Sequence, residues 1–176
     1  MSIVDRVKNI LMSPKTEWPV IAGEATTTQA LYTGYIMILA AIGPIALLLR
    51  SGIMDAITGY IVALAAPYIM ALIVDALAPT FGGEKNFMQS LKLTAYSYTA
   101  VWIAGILHLL GALGGLLSLL AAIYALYTFY LGVPVMKKCP QEKAVAYTLV
   151  VVVCGIVLTA LVGSLLMSTM FGGMGM

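Results

Sequence analysis

The sequence predicts an all-α integral membrane protein, a bundle of five transmembrane helices preceded by a short amphipathic helix. Hydrophobic residues make up 62% of the chain and charged residues 9%, and the mean hydropathy is +1.04. A soluble domain carries about 25% charged residues, so this composition argues against a water-soluble fold. The apolar residues fall into five runs, each long enough to cross a hydrocarbon core of about 30 Å as a helix. These runs are 31–49, 56–78, 93–110, 116–136 and 144–170.

The basic residues predict how the chain crosses the membrane. All nine Lys and Arg except Arg50 lie in segments that alternate spans place on one side. Short cytoplasmic segments carry an excess of Lys and Arg, so we expect the N-terminus in the cytoplasm and the C-terminus outside. The basic residues of the inner segments are Arg6, Lys8, Lys15, Lys85, Lys92, Lys137, Lys138 and Lys143.

Residues 1–30 are predicted to form a cytoplasmic, interfacial segment before a transmembrane domain at 31–176. Its apolar residues recur at helical spacing, which indicates a short amphipathic helix on the membrane surface. Ser13 and Pro14 break this helix, and Trp18 is expected to be an interfacial aromatic residue. A docking helix for a partner protein has the same pattern, but surface anchoring is the favoured interpretation. The apolar residues are Ile3, Val4, Val7, Ile10 and Leu11.

Small residues and prolines within the spans predict how the helices pack. In the second span Gly59 and Ala63 begin a repeat of small residues at every fourth position, and in the fifth span Gly155, Thr159 and Gly163 do the same. Such faces allow close helix approach, so we expect helix contacts there, within the chain or across a homo-oligomer.

Three prolines are predicted to kink the helices that contain them. Pro44, Pro67 and Pro134 each leave one carbonyl of the preceding turn without its helical partner. That carbonyl needs another hydrogen-bond donor inside a membrane. Broken helices that coordinate ions are the functional alternative, and ordinary kinks are the favoured interpretation.

Two ionisable residues lie inside predicted spans, where charge is costly. Asp75 is near the inner end of the second span, and the helix dipole disfavours an anion at that end. A structural ion pair with Lys85, Lys92 or Lys138 is therefore expected, in preference to a proton relay. His108 lies at the opposite edge with Arg50 and Asp55, which together supply too few ligands for a strong metal site.

Tyrosines supply most of the aromatic content of the spans. Tyr96 and Tyr98 lie in the third span, and Tyr124, Tyr127 and Tyr130 share one arc of the fourth. They suit a polar crevice for a lipid headgroup or a small solute. An aromatic belt, with the deeper hydroxyls bonded to freed carbonyls, is the favoured alternative.

Residues for known reactions are missing from the sequence. It contains no HExxH, no Gly-x-Ser-x-Gly, no Walker A loop and no second membrane aspartate to pair with Asp75. Cys139 and Cys154 have no disulfide or metal-ligand spacing and are expected to be free thiols. The C-terminal methionines 167, 170, 174 and 176 suit apolar packing better than a copper(I) site. We therefore expect no enzyme activity, no cofactor or metal, and no nucleic-acid partner.

Four stretches of the chain resemble, in order and spacing, the bacterial branch of the Yip (Ypt/Rab-interacting protein) domain family. They are FGGEKNFMQ at 81–89, AYSY at 95–98, YALYTFYLGVP at 124–134 and CPQEKA at 139–144. The segment ILMSPK at 10–15, followed by Trp18, resembles the entry segment of that family, whereas the Asp-Leu-Tyr-Gly-Pro signature of eukaryotic members does not occur. The resemblance implies five spans, a cytoplasmic N-terminus and a bacterial inner membrane.

Two functions remain open at this point. The first is a non-enzymatic module that organises the membrane or binds other proteins or copies of itself in the bilayer. The second is a small transporter, channel or lipid-handling protein that uses a kinked, tyrosine-lined crevice. A continuous polar cavity reaching the Ala63 carbonyl and Tyr124 would favour transport, and a tightly packed interior would favour assembly. The sequence names no ligand.

Overall fold

The described residues are mostly helical, contain no strand, and confirm the predicted bundle of five long apolar helices. The computed structural model describes the backbone of residues 1–172 and the side chains of residues 1–164, so methionines 167, 170, 174 and 176 and the predicted end of the fifth span at 170 lie outside the described side chains. Five helices are long and apolar enough to cross a membrane. We call them spans one to five: Thr28–Ser51, Ile53–Phe81, Phe87–Leu110, Ala112–Lys137 and Gln141–Ser164.

Two short helices precede the spans, α1 at Ile3–Met12 and α2 at Pro14–Gly23. Ser2 caps α1 by accepting a hydrogen bond from the Asp5 amide, and Ser13 separates the two helices. We refer to α1 and α2 as the N-terminal hairpin. The expected amphipathic pattern is only partly right, because Val4 is 70% exposed whereas Arg6, on the predicted polar face, is 5% exposed.

The N-terminal hairpin packs into the bundle, so the interfacial role expected for Trp18 is wrong. Trp18 is fully buried, and its indole nitrogen donates to the Thr128 carbonyl of span four at 3.0 Å. A Cβ atom at Gly132 would lie 2.6 Å from the Trp18 ring, so only glycine leaves room for the indole there. The indole N–H needs an acceptor when buried, and span four supplies it.

Spans one and three contain irregular helix. Span one contains a π-helical stretch at Tyr32–Ile36 and a break at Ala41, three residues before Pro44. Span three ends in a 3₁₀ helix at Gly105–Leu110. Spans two and four continue as α-helix through Pro67 and Pro134. Near the second-span proline, Tyr32 donates to the Leu64 carbonyl at 2.9 Å and Thr94 to the Pro67 carbonyl at 3.0 Å.

Spans one and three approach closely where Gly43 meets Gly105. A Cβ atom at Gly105 would lie 2.7 Å from the Gly43 Cα atom. Gly59 also packs closely, since a Cβ atom there would lie 3.1 Å from a methyl carbon of Leu47. These contacts exploit the missing side chain of glycine, as small residues do in membrane helices generally.

Span five is the least buried helix, and its small-residue face makes no close contact within the described chain. Only 17% of its apolar window is buried, against 50% for span three. A Cβ atom at Gly155 would touch only the Met70 side chain, at 3.5 Å, and one at Gly163 would have nothing within 4 Å. Thr159 is exposed. The predicted packing of this face therefore does not occur inside the protomer.

Candidate functional site

Polar side chains gather at one end of the bundle, where Lys92 and Lys137 lie, and we call this end the basic edge. Two partly buried networks lie there. The Asp75 cluster comprises Asp75, Asn86, Ser90 and Lys137, and the Arg6 cluster comprises Arg6, Glu17, Glu24 and Lys92.

The Asp75 cluster joins spans two, three and four through one buried ammonium group. Lys137 is fully buried at the end of span four, and its Nζ donates to Asp75 Oδ1 at 2.8 Å and to Ser90 Oγ at 2.7 Å. The same Nζ donates to the Asn86 carbonyl at 3.2 Å. Asp75 Oδ1 also accepts the Asn86 amide at 2.7 Å and the Ser90 hydroxyl at 3.1 Å. The ammonium group, the Ser90 hydroxyl and Asp75 Oδ1 therefore all have hydrogen-bond partners.

Asp75 has a cation beside it at this edge, but Lys137 takes the place expected for Lys85, Lys92 or Lys138. Span four ends at Lys137, whose side chain points inward. Lys138 adopts a left-handed backbone conformation, with φ at 52°, and pairs instead with Glu84 at 2.8 Å. Lys85 is exposed and forms no ion pair within the described residues. The residue at which span four ends thus decides which of Lys137 and Lys138 is buried.

Two glycines allow the loop between spans two and three to pack against the end of span four. Gly82 adopts φ of 74°, a left-handed conformation that glycine adopts without strain. A Cβ atom at Gly83 would lie 2.9 Å from the Lys137 carbonyl, and the Glu84 amide donates to that carbonyl at 2.8 Å. Backbone and side chain of Lys137 therefore hold the same loop.

The Arg6 cluster holds the N-terminal hairpin against span three. The Arg6 guanidinium donates to Glu17 and to Glu24, and it lies 5.5 Å from the centre of the Tyr96 ring. Burial alone would lower the pKa of Arg6, but the hydrogen bond and negative charge of Glu24, with that of Glu17, raise it above its usual value. Lys92 Nζ donates to the Ile21 carbonyl at 2.7 Å and the Glu24 carbonyl at 3.0 Å. The two cations and two carboxylates balance in charge.

A crevice of about 540 Å³ lies between spans two, three, four and five. Its walls are mostly apolar, with Met70, Phe129 and Val151 among the lining residues. Three hydroxyl side chains of span three, Thr94, Ser97 and Tyr98, lie at its lining, and no charged residue does. Neither Ala63 nor Tyr124 borders it. The crevice therefore fits apolar matter better than a hydrated solute.

Of the five predicted tyrosines only Tyr98 borders this crevice, although the Tyr124 and Tyr127 ring centres are 5.9 Å apart. Tyr124 donates to the Leu11 carbonyl of α1 at 2.6 Å, and Tyr127 is 45% exposed on the outside of the bundle. Tyr130 accepts a hydrogen bond from Gln141 at 3.1 Å. Tyr96 packs edge-on against Tyr35, with 4.7 Å between ring centres. Helical spacing places Tyr124, Tyr127 and Tyr130 on one arc of span four, but that arc faces α1 and the outside of the bundle.

His108 lies at the opposite edge from both clusters. Its Nδ1 is 2.6 Å from the Gly105 carbonyl oxygen, and its own carbonyl accepts a hydrogen bond from Arg50 at 3.0 Å. In the part of the chain that the structure describes, no three His, Cys, Asp or Glu residues are grouped so as to hold a metal ion. Cys139 and Cys154 are free.

Arg6, Glu17, Glu24 and Lys137 were not singled out from the sequence as site residues. Glu17 and Glu24 are seven residues apart, so two helical turns place them on one face, and Arg6 is the third member of that set. Two acids at this spacing before a first span, with a basic residue in the preceding amphipathic helix, are the signal for such a cluster.

Comparison with known proteins gives one match. A family model described as the Yip1 domain matches residues 8–162, which extends from within α1 almost to the end of span five. No curated protein and no solved structure matches the chain. The matched region includes both clusters except Arg6, and all of the crevice lining.

Proposed function

Because the chain belongs to the Yip1 domain family, we propose that it is a non-enzymatic membrane protein that presents a fixed cytoplasmic surface to other proteins. We also propose that it lies in a bacterial inner membrane, with the N-terminus inside and the C-terminus outside. The excess of Lys and Arg at the basic edge supports this orientation. The missing Asp-Leu-Tyr-Gly-Pro signature supports a bacterial branch.

The observation that carries the proposal is that both ionic networks, each built around a buried cation, hold surface elements in place at one edge. The Asp75 cluster fixes the loop between spans two and three, and the Arg6 cluster fixes the N-terminal hairpin. Burying charge in a membrane protein is costly, so its use there marks the parts whose position matters. A surface fixed in advance binds a partner with less loss of conformational entropy.

The surface held in this way is charged and open. Glu84 and Lys138 form an ion pair whose side chains are 64% and 69% exposed, and Lys85 lies beside them. Exposed ion pairs contribute little to stability, about 1 kcal/mol or less. Charges at an interface rim instead select partners and guide their approach. This edge is therefore suited to recognising a protein of complementary charge.

Site-specific photo-crosslinking in cells tests the proposal. A photoreactive amino acid at Lys85 is expected to give a discrete protein adduct, whereas one at Leu119, which is 57% exposed on span four, is expected to give none. The double variant Glu84→Lys with Lys138→Glu keeps the ion pair but inverts its direction, so it should fold normally and lose the adduct. An adduct equally strong from both sites, or unaffected by the inversion, would argue against this surface.

A lipid-handling function is the second candidate, and the crevice is the observation that favours it. An apolar crevice bordered by four spans has the dimensions of a ligand site, about 300–1,000 Å³. Solute transport has less support, because the crevice lining contains no charged residue and does not reach Ala63 or Tyr124. Photo-crosslinking from Ile156, in the crevice wall, distinguishes the candidates by whether the adduct is a lipid or a protein.

A further inference from the structure

We propose that the crevice binds an uncharged lipid of the acylglycerol type, whose ester carbonyl accepts hydrogen bonds from Ser97 and Tyr98. The inference rests on the lipid-handling candidate and is independent of the cytoplasmic docking surface. It names the class of ligand and the two side chains that distinguish this ligand from ordinary membrane lipid.

The crevice walls favour a hydrocarbon chain. Span two contributes Met70, span four Ala125 and Phe129, and span five Val151 and Ile156. These side chains offer dispersion contacts and no charge. Gly155 adds open space at the same wall, since a Cβ atom there would meet only Met70. A volume of about 540 Å³ suits a single lipid chain with a small polar group, and is too small for a transmembrane helix of a partner.

Two of the four hydroxyl groups in the crevice wall are already satisfied by the protein. Thr94 donates to backbone carbonyls, with Pro67 at 3.0 Å, and Thr159 donates to the Gly155 carbonyl at 2.8 Å. Ser97, which is 5% exposed, has a buried hydroxyl with no hydrogen-bond partner among the described residues. The neighbouring Tyr98 is half-buried, forms no side-chain hydrogen bond within the described residues and stacks its ring on Trp102.

Unpaired hydroxyls in an apolar wall are the feature that a plain hydrocarbon chain would leave unexplained. Desolvated polar groups in proteins are normally paired, because leaving them unpaired is unfavourable. Both groups are hydroxyls and each can donate a hydrogen bond, so an acceptor on the ligand satisfies both. A carbonyl oxygen has two lone pairs and can accept from both side chains.

The absence of charge in the crevice lining selects against a phosphate headgroup. Ser97 is five residues along span three from Lys92, which is a helical rise of about 7.5 Å away from the basic edge. A phosphate drawn to that depth would lose its hydration, and no cation borders the crevice to replace it. An uncharged ester has no such penalty. The geometry thus points to a neutral lipid that enters sideways from the bilayer.

Photolabelling of the purified full-length protein in nanodiscs tests the inference. The probe is a monoacylglycerol with a diazirine in its chain, and the competitors are unlabelled monoolein, an alkane of equal chain length, and lysophosphatidylcholine. We expect the probe to label crevice residues and monoolein to compete best. The variant Ser97→Ala with Tyr98→Phe keeps the crevice volume, and it should weaken monoolein competition about tenfold while alkane competition stays unchanged.

Two control variants make the outcomes decisive. Ala125→Leu fills the crevice and should abolish labelling, whereas Leu119→Phe on the outer face of span four should leave it unchanged, with both variants checked by thermal unfolding. Labelling that survives Ala125→Leu would overturn both the site and the lipid-handling candidate. If labelling is lost in Ala125→Leu but the alkane competes as well as monoolein, the crevice binds lipid and the carbonyl contact is wrong. Stronger competition by lysophosphatidylcholine would overturn the preference for an uncharged lipid.

Discussion

Removing the carboxylate of Asp75 should strongly destabilise the protein, because it strands a buried charge. Lys137 is fully buried, and without Asp75 its ammonium keeps only the Ser90 hydroxyl and the Asn86 carbonyl. Leaving one partner of a buried pair uncompensated costs about 3–5 kcal/mol. We therefore expect Asp75→Leu to lower the free energy of unfolding by about that amount.

Asp75→Asn should be milder, and the double variant should be milder still. An amide oxygen at position 75 still accepts from Asn86 and Ser90, so we expect a loss of about 1–2 kcal/mol. Asp75→Leu combined with Lys137→Met removes both charges. Replacing a buried pair by apolar residues is often neutral, so most of the loss should be recovered. The wild type, Asp75→Leu, Lys137→Met and the double variant form a double-mutant cycle, for which we expect a strongly favourable coupling.

Denaturant unfolding in detergent, followed by helical circular dichroism, measures these differences. The pair of Glu84 and Lys138 is a matched control because its contact is also 2.8 Å but its side chains are mostly exposed. Glu84→Leu should cost about 1 kcal/mol or less. An Asp75→Leu effect no larger than that of Glu84→Leu would refute the structural role. Full stability of both Asp75 variants, with loss of a measured proton flux, would favour a relay instead.

Four further outcomes are expected. A cytoplasm-active reporter should work when fused at Lys138 and fail when fused at the C-terminus, and the reverse result would contradict the proposed orientation. Gly132→Leu should expel Trp18 and lower the melting temperature by more than Gly163→Leu does, because only the first lacks room. Gly163→Cys, in a background without native cysteines, should crosslink two chains if the small-residue face of span five contacts a second copy, which is the homo-oligomer alternative of the sequence prediction. Crosslinks no more frequent than from a control site would argue against that alternative. Burial raises the pKa of the Cys139 thiol, so the folded protein favours the neutral thiol. Iodoacetamide should therefore modify Cys139 slowly at pH 8 in the folded protein and rapidly after unfolding. The contribution of this thiol to the free energy of unfolding should be lost as the pH rises through its raised pKa.

The sequence predicts the spans well because hydrophobic length is a local property. The two lysines at the end of span four show what the sequence does not predict. Whether Lys137 or Lys138 points inward depends on where the helix ends, and that is decided by the glycine contacts of a loop some fifty residues earlier. Composition alone assigns both lysines to the same basic segment.

Trp18 and span five show two further reasons for failure. The sequence around a tryptophan near a predicted interface is the same whether its side chain contacts lipid or packs against a glycine of another helix. The glycine that makes room for Trp18 is Gly132, far along the chain. The repeat at Gly155 predicts that a helix face permits close approach, but not that a neighbour is present. In the protomer the face of span five borders the crevice.

The docking of the N-terminal hairpin also sets an order for biosynthesis. Trp18 pairs with a carbonyl 110 residues later in the chain, and Leu11 with a hydroxyl 113 residues later. At about 5–20 residues per second, the hairpin therefore waits about 5–20 s for span four to be made. During that interval the Trp18 indole and the Leu11 carbonyl lack their native partners in span four, whereas Arg6, Glu17 and Glu24 can already pair with one another. The hairpin can therefore dock fully only after span four has been made.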